Sequence, residues 1–184
     1  MHNKENGCKK VVIIGLGNPL LADDSVGLWA VDELTSILKD RESNISFSKN
    51  YSGGIDLIYE FQGFKKAILI DSILTENPQP GKVHELNMDF LNNIANSRIV
   101  DSHGVNLSTV IATAKKCNYE MPEDIVIYAI EGLDFTNFCE EPSLEVKEGL
   151  KEAVRLTIEK LKEWNCIDNI LPENLDVKPV EIHH

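Results

Sequence analysis

Five acidic or imidazole side chains stand at positions where they could bind a metal ion or move a proton. Asp23 and Asp24 follow the first apolar run of the sequence, Asp71 follows the second, Glu131 follows the last, and His103 opens a segment with helical spacing. If the apolar runs form parallel strands, their carboxyl ends share one edge of a sheet, where ligands bind in such folds. Two carboxylates and one imidazole in that crevice would form a metal site with open coordination positions.

Each of these residues also has an ordinary structural role. One of the acids Asp23 and Asp24 is expected to cap the helix that follows them. Asp71 could be a turn residue at the end of a strand, His103 could be a surface or capping histidine, and His84 lies inside a strand-like segment where a structural role is expected. Their joint placement at strand ends, rather than any single residue, favours a functional site.

Apolar runs alternate with helical patterns along the chain. The predicted strands are residues 11–14, 45–47, 67–70, 81–86 and 125–130, and the predicted helices are residues 25–38, 55–61, 88–94, 103–117 and 143–164, with Ser143 as the N-cap of the last helix. This alternation predicts an α/β fold, a three-layer αβα sandwich with a mostly parallel twisted sheet of about five strands. Residues 1–164 are expected to form a single domain, and residues 165–184 a loosely held tail.

Composition excludes several classes of partner. The 184 residues contain 18 Lys and Arg against 30 Asp and Glu, a net charge of −12. Nucleic acids and anionic membranes require a basic surface, so neither is expected as a partner. The chain contains no apolar run near the roughly 18 residues that span a bilayer and has polar residues at its start, so a cytoplasmic location is expected.

The cysteines show no metal-binding or disulfide spacing. They stand far apart, without a C-x-x-C pair, at Cys8, Cys117, Cys139 and Cys166. Reduced, mostly structural thiols are therefore expected, and a zinc knuckle or a disulfide framework is not.

Three catalytic or cofactor motifs are incomplete or absent. Gly15-x-Gly17 suggests a dinucleotide fold, but the third glycine position is Leu20, and residues 47–50 lack the acid that would bind a ribose. The glycines are expected instead to permit a tight turn between strand and helix. The sequence contains neither a G-x-S-x-G elbow nor an H-E-x-x-H pair. If this chain cleaves a bond, the simplest mechanism to expect is one that uses a metal ion bound at the carboxylate and histidine cluster.

Residues 12–27 resemble the opening motif of the nickel–iron hydrogenase maturation proteases. The stretch is V-I-I-G-L-G-N-P-L-L-A-D-D-S-V-G, and the family pattern is G-x-G-N, two apolar positions, a short step and D-[DE]-x-x-G. The resemblance runs in order from about residue 11 to 162, through the glycine-rich segment 52–57, the strand 68–72, the histidine segment 102–107, the last strand at 129–131 and the helix start at 142–144.

The resemblance implies an endopeptidase that removes a C-terminal extension from the hydrogenase large-subunit precursor after nickel insertion. Carried over by motif position, the family's metal ligands are Asp24, Asp71 and His103. The metal would be nickel, presented by the precursor or bound at the site, and zinc suits the same donors. The accessory candidates are Asp23, Asn18, Gly53, Gly54 and Glu131. The nickel-loaded precursor is the expected partner, and a monomer is the expected state.

The sequence departs from the family pattern at two places. The acid that often precedes the glycine-rich segment is absent from residues 49–51, and Gly132 stands where proline is common. Two other functions remain open: a non-catalytic maturation chaperone that senses nickel loading, and a nucleotide-binding α/β protein.

Overall fold

The sheet and helices alternate along the chain as the apolar pattern predicts. The computed structural model describes residues 10–38, 44–52, 54–87, 100–101 and 107–167, with backbone alone at 100–101 and 107–108. The elements are β1 (Val11–Leu16), a 3-10 turn (Ala22–Ser25), α1 (Val26–Leu38), β2 (Ile45–Asn50), α2 (Leu57–Glu60), β3 (Lys66–Leu74), β4 (Val83–Asn87), β5 (Val100–Asp101), α3 (Leu107–Lys116), β6 (Asp124–Glu131) and α4 (Leu144–Glu163).

The described strands form one mostly parallel sheet in the order β2-β1-β3-β6-β4. The first four strands of this order run parallel, β4 pairs antiparallel with β6, and the short β5 pairs antiparallel with the end of β3. The prediction of a mostly parallel sheet of about five strands is confirmed, with β5 as an additional two-residue strand.

Helices cover both faces of the sheet, which explains why the central strands are continuously apolar. On one face, α1 and α4 pack over Ile13, Ile68 and Ile130 in the first core cluster. On the other face, α2 and α3 pack over Ile14 and Leu69 in the second cluster. The molecule is therefore the predicted three-layer αβα sandwich.

The last helix, α4, is amphipathic and ends at a residue with a left-handed backbone. Its buried stripe includes Val146, Leu150 and Val154, which face the sheet. Asn165 has a φ of 56°, and the next N–H, that of Cys166, donates to the carbonyl of Leu161. This arrangement satisfies the last carbonyls of the helix and turns the chain back onto the core.

The turn after α4 bears on two expectations about the end of the chain. Cys166 and Ile167 pack into the first core cluster, while the rest of the predicted tail lies outside the described residues, so the division at residue 164 stays a prediction. Cys166 is disulfide-bonded, whereas Cys117 and Cys139 are free and exposed. The expectation of reduced thiols is therefore wrong for Cys166, which this turn packs against the core.

Element boundaries differ from the sequence prediction at a few points. β3 continues three residues past Asp71 to Leu74, because its end pairs with both β6 and β5. The helix expected over 55–61 is a single turn, α2. The helix predicted at 88–94 and the first residues of the one predicted at 103–117 lie outside the described residues. Within the described part of the chain, no helix has the length and apolarity to cross a bilayer.

The topology places a crevice between the ends of β1 and β3. From β1 the chain passes to β2 on one side and then returns to β3 on the other side of β1. The connections therefore leave in opposite directions from β1, and a crevice opens outside the carboxyl ends of the two strands. Asp24 follows β1 and Asp71 lies near the end of β3, so both belong to this point.

Candidate functional site

Two buried carboxylates lie at this crevice, and each accepts a hydrogen bond from the same serine. The Ser72 hydroxyl donates to Asp24 Oδ1 over 2.9 Å, and the Ser72 backbone N–H donates to Asp71 Oδ1 over 2.8 Å. Asp24 and Asp71 are 4% and 6% exposed, and Ser72 is fully buried. Ser72 therefore contacts both carboxylates, Asp24 through its hydroxyl and Asp71 through its backbone N–H.

Alternation along β3 explains this bridge. Ile70 and Ser72 face the α1 side of the sheet, whereas Leu69, Asp71 and Ile73 face the α3 side, as the two core clusters show. The Ser72 side chain therefore contacts Asp24 on the α1 side of the sheet, while the Ser72 backbone N–H donates to the Asp71 carboxylate. The sequence motif 68–72 ends at Ser72, but the role of this residue was missed, because only the approach of the 3-10 turn reveals it.

Close backbone packing holds Asp24 in position. A Cβ atom on Gly17 would lie 2.2 Å from the Asp24 carbonyl oxygen, and one on Gly15 would lie 2.1 Å from the Gly27 carbonyl oxygen. Both distances are far below ordinary contact, so only glycine allows β1 and the following turn to approach α1 this closely. Contacts within the chain thus account for the Gly15-x-Gly17 pattern without a bound dinucleotide.

Asp23 joins two loops and does not cap α1. Its Oδ2 accepts from the backbone N–H groups of Leu133 and Asp134 over 2.9 and 3.0 Å, and its Oδ1 accepts from Ser143 N–H over 2.8 Å. Burial alone would raise the pKa of Asp23, but these backbone hydrogen bonds outweigh it and lower the pKa. Asp23 is therefore not the expected cap of α1; it lies with Asp24 in the 3-10 turn before α1, whose N-cap is Leu21.

Asp23 also changes the role expected for Ser143. This residue stands at the N-cap of α4, as predicted, but its side chain makes no capping hydrogen bond. Its N–H is instead satisfied by the Asp23 carboxylate, which places a negative charge at the positive end of the α4 dipole. Asp23 therefore supports the site by fixing the loop after β6 and the start of α4.

Glu131 forms a separate polar cluster at the end of β6. Its Oε1 accepts from the Thr75 hydroxyl over 3.1 Å and lies 3.0 Å from His84 Nε2, and its Oε2 accepts from the Gln79 N–H. Burial would raise the pKa of Glu131, but the hydrogen bonds from Gln79, His84 and Thr75 lower it below its usual value. These contacts give His84 the expected structural role and tie the β3–β4 connection to β6.

Two asparagines organise the loops on the β1 side of the crevice. Asn18 Oδ1 accepts from Leu20 N–H over 3.0 Å. Asn50, buried at the end of β2, accepts through its carbonyl from Gly17 N–H and through Oδ1 from Ser52 N–H. Asn50 was missed as a positioning residue, although its place at the carboxyl end of a strand is a usable signal. Gly54 begins the turn into α2, where its carbonyl accepts from Leu57 N–H.

The remaining predicted site residues fall outside what the structure describes. The structure does not describe residues 102–106, which include His103, or the single residue Gly53. Among the described side chains, no group of three or more His, Cys, Asp and Glu is placed to hold a metal ion. The described part of the site therefore consists of two carboxylates and their hydrogen-bond partners.

Comparison with known proteins identifies the family. The model of the hydrogenase maturation protease family HycI matches residues 29–163. The chain belongs to the hydrogenase maturation protease family. The predicted family is confirmed, and the match begins after the opening motif, so most of it rests on the later strands and helices.

Individual hydrogenase maturation proteases are similar over nearly their whole length. A putative hydrogenase maturation protease of Methanocaldococcus jannaschii is 27% identical over 170 residues, covering 87% of this chain and 95% of that protein. The maturating endopeptidase HybD of E. coli superposes with a TM-score of 0.69 at 18% identity, over 84% of this chain and 93% of that one. HybD of Thermococcus kodakarensis gives 0.65 at 22% identity, over 82% and 98%. These superpositions show a shared α/β fold.

Proposed function

We propose that this protein is the endopeptidase that removes the C-terminal extension of a nickel–iron hydrogenase large-subunit precursor after nickel insertion. Its metal-binding centre would consist of Asp24, Asp71 and His103. The observation that carries the proposal is the pair of buried carboxylates joined by Ser72 at the crevice between β1 and β3. Membership of the hydrogenase maturation protease family supplies the reaction class.

The flanks of the histidine segment support the inclusion of His103. The backbone of Asp101 pairs with Ile73, two residues beyond Asp71 on the same strand. Two further residues of chain span at most about 7 Å, so the place of His103 in the sequence, close after this pairing, supports its inclusion in the centre. On the other flank, α3 begins at Leu107 and packs on the sheet face that carries the Asp71 side chain.

The chemistry of the described donors fits a divalent cation. Two anionic oxygen donors, held by Ser72 and by the packing of β1 against α1, offer the charge and rigidity that such an ion requires, and an imidazole adds a nitrogen donor. When bound, nickel or zinc would polarise the scissile carbonyl or activate a water molecule. We propose that the ion is the nickel carried by the precursor, so that the three residues recognise a loaded substrate.

Mass measurement of the precursor tests this proposal. Wild-type protein incubated with nickel-loaded precursor should shorten it by one C-terminal fragment, and precursor without nickel should stay intact. Asp24→Asn, Asp71→Asn and His103→Ala should each slow cleavage at least about 100-fold, the scale of losing an essential catalytic group. Asp56→Asn, which changes an exposed acid at the start of α2, should cleave as wild type does.

Other outcomes would contradict particular parts of the proposal. If the nickel-loaded precursor keeps its mass but forms a stable complex, the protein is the chaperone alternative. If Asp24→Asn cleaves at the wild-type rate, the metal centre is wrongly assigned. If chelator treatment of the protein alone, followed by desalting, abolishes cleavage and zinc or nickel restores it, the ion is resident. The proposed working form, a cytoplasmic monomer, predicts elution as a single chain in size-exclusion chromatography.

A further inference from the structure

Four exposed apolar side chains lie around the acids of the site and have no role in the core. We call Leu20, Leu133, Phe138 and Leu144 the apolar rim; all are exposed, and Phe138 is 86% exposed. Monomeric proteins seldom leave several large apolar side chains exposed together unless they bind something. The rim therefore indicates a surface that binds a partner.

Hydrogen bonds hold the rim residues on one rigid unit. Leu21 and Phe138 form an antiparallel bridge, and Cys139 N–H donates to the Leu20 carbonyl over 3.1 Å. Asp23 binds the N–H of Leu133 and that of Ser143, the residue before Leu144. Trp29 Nε1 also donates to the Glu140 carbonyl over 3.3 Å. A surface fixed in this way loses little conformational entropy on binding.

The same unit places the rim beside the proposed centre. Asp23, which holds Leu133 and Ser143, is the direct neighbour of Asp24 in the 3-10 turn. A Cβ atom on Gly132 would lie 2.9 Å from Asp23 Cβ, so the loop after β6 lies directly on this turn. A segment that covers the rim therefore passes close to Asp24.

The charge around the rim indicates the chemistry of the partner. Residues 11–38 and 124–146 contain no Lys or Arg, while Glu140 and Glu145 are exposed next to the rim. Glu141 is also exposed but is paired with Lys147 over 2.6 Å. A segment that combines apolar side chains with Lys, Arg or His complements this surface, whereas an acidic segment would be repelled.

We infer that the apolar rim docks the C-terminal region of the hydrogenase precursor, and that the docked segment carries both apolar and basic side chains. This inference rests on the proposed function and adds the surface that recognises the substrate. Docking on the rim contributes to binding before the chemical step. Its loss should therefore appear in KM and in Kd rather than in kcat.

Phe138→Ala tests the apolar part of the inference. The side chain is exposed, so its removal leaves the fold intact, and KM for nickel-loaded precursor should rise at least tenfold with kcat within twofold of wild type. Tyr59→Ala is the matched control, because Tyr59 is 63% exposed and packs edge-to-face against Tyr119. Tyr119 lies between α3 and β6, at the opposite end of the strands from the rim. Equal KM values for Phe138→Ala and wild type, or an equal rise for Tyr59→Ala, would overturn the rim as a docking site.

Charge variants test the chemistry of the docked segment. The double variant Glu140→Gln/Glu145→Gln should raise KM at least threefold. The control Glu148→Gln/Glu152→Gln removes two acids from the exposed side of α4, where they pair with Lys151 and Arg155, and should leave KM unchanged. A lower KM for the rim double variant would show that the docked segment is not basic and would overturn that part of the inference.

A binding measurement separates this inference from the proposed function. Kd for precursor is measured by calorimetry with Asp71→Asn alone and with Asp71→Asn/Phe138→Ala. If wild type releases no fragment but Phe138→Ala still weakens binding tenfold, docking holds and the endopeptidase proposal fails. If wild type cleaves and Kd is the same for both variants, the endopeptidase proposal holds and docking on the rim fails.

Discussion

At the scale of single residues, the adjacent acids Asp23 and Asp24 have different roles. Asp24 is bound by the Ser72 hydroxyl at the crevice, whereas Asp23 is bound by three backbone N–H groups of the loop after β6 and the start of α4. Asp23 is fully buried, and its replacement would leave those donors poorly satisfied. Its contribution is therefore to the stability of the site rather than to its chemistry.

Asp23→Asn should destabilise the fold in a pH-dependent way. At pH 7 we expect a loss of about 1–3 kcal/mol in the free energy of unfolding, the cost of imperfectly satisfied buried groups. The pKa of Asp23 is lowered in the folded state, so its stabilisation is present above the unfolded pKa of about 3.9 and is lost as the pH falls through the folded pKa. Urea unfolding of wild type and Asp23→Asn should show a difference in the free energy of unfolding that shrinks below about pH 4.

The control for this prediction is Asp56→Asn, since Asp56 makes no side-chain capping bond. That variant should stay within about 0.5 kcal/mol of wild type, as expected for a surface substitution. A constant difference between wild type and Asp23→Asn at every pH would show that the Asp23 charge contributes nothing.

At the scale of elements, the approach of α1 to β1 and β3 positions the site. A Cβ atom on Gly27 would lie 2.3 Å from the carbonyl oxygens of Ile70 and Leu16. The first turn of α1 therefore rests on the strand backbones at their carboxyl ends. This contact is what places Asp24, three residues earlier, over Ser72.

Gly27→Ala should force α1 away from the sheet. We expect a loss of about 1–3 kcal/mol or more in the free energy of unfolding, because the atoms in the way are backbone and cannot rotate aside. Thermal or urea unfolding measures this loss. Gly54→Ala is the matched control, since its nearest atom would be 3.8 Å away; similar losses for both variants would contradict the packing explanation.

The strands and the position of the two carboxylates followed from the sequence because a strand buried on both faces must be continuously apolar. The end of β3 was predicted too early, at residue 70, because the polar residues Asp71 and Ser72 are typical of a strand end. Only the pairing of β3 with β5 and β6 shows that the strand continues beyond them. The direction of β4 depends on its connections rather than on its residues. The partners of Asp23 lie 110 or more residues away, and no local pattern indicates such contacts.

At the scale of the whole molecule, the charge of −12 is unevenly distributed. The two stretches that carry Asp24 and the apolar rim, residues 11–38 and 124–146, have no basic residue. In α4, by contrast, Lys151, Arg155 and Lys160 pair with many of the acids. Three acids of these stretches pair with lysines from elsewhere in the chain, but Glu140 and Glu145 remain exposed beside the rim. Acids exposed in this way increase the rate at which a basic segment is encountered.

Salt should weaken recognition of the precursor. The Debye length falls from about 10 Å at 0.1 M salt to about 3 Å at 1 M. KM should therefore rise several-fold between low and high salt, while kcat changes little. Initial rates at a series of sodium chloride concentrations measure this effect. A KM that stays constant or falls would show that charge does not assist docking.

The three hydrogen bonds of Asp23 also determine when the rim can assemble during synthesis. The donors lie 110, 111 and 120 residues along the chain from their acceptor. The third donor does not exist until the ribosome has passed Ser143, and closing so long a loop is slow compared with forming a helix. A nascent chain can therefore build β1, α1 and β3 early, yet it presents an organised rim only when α4 begins to emerge.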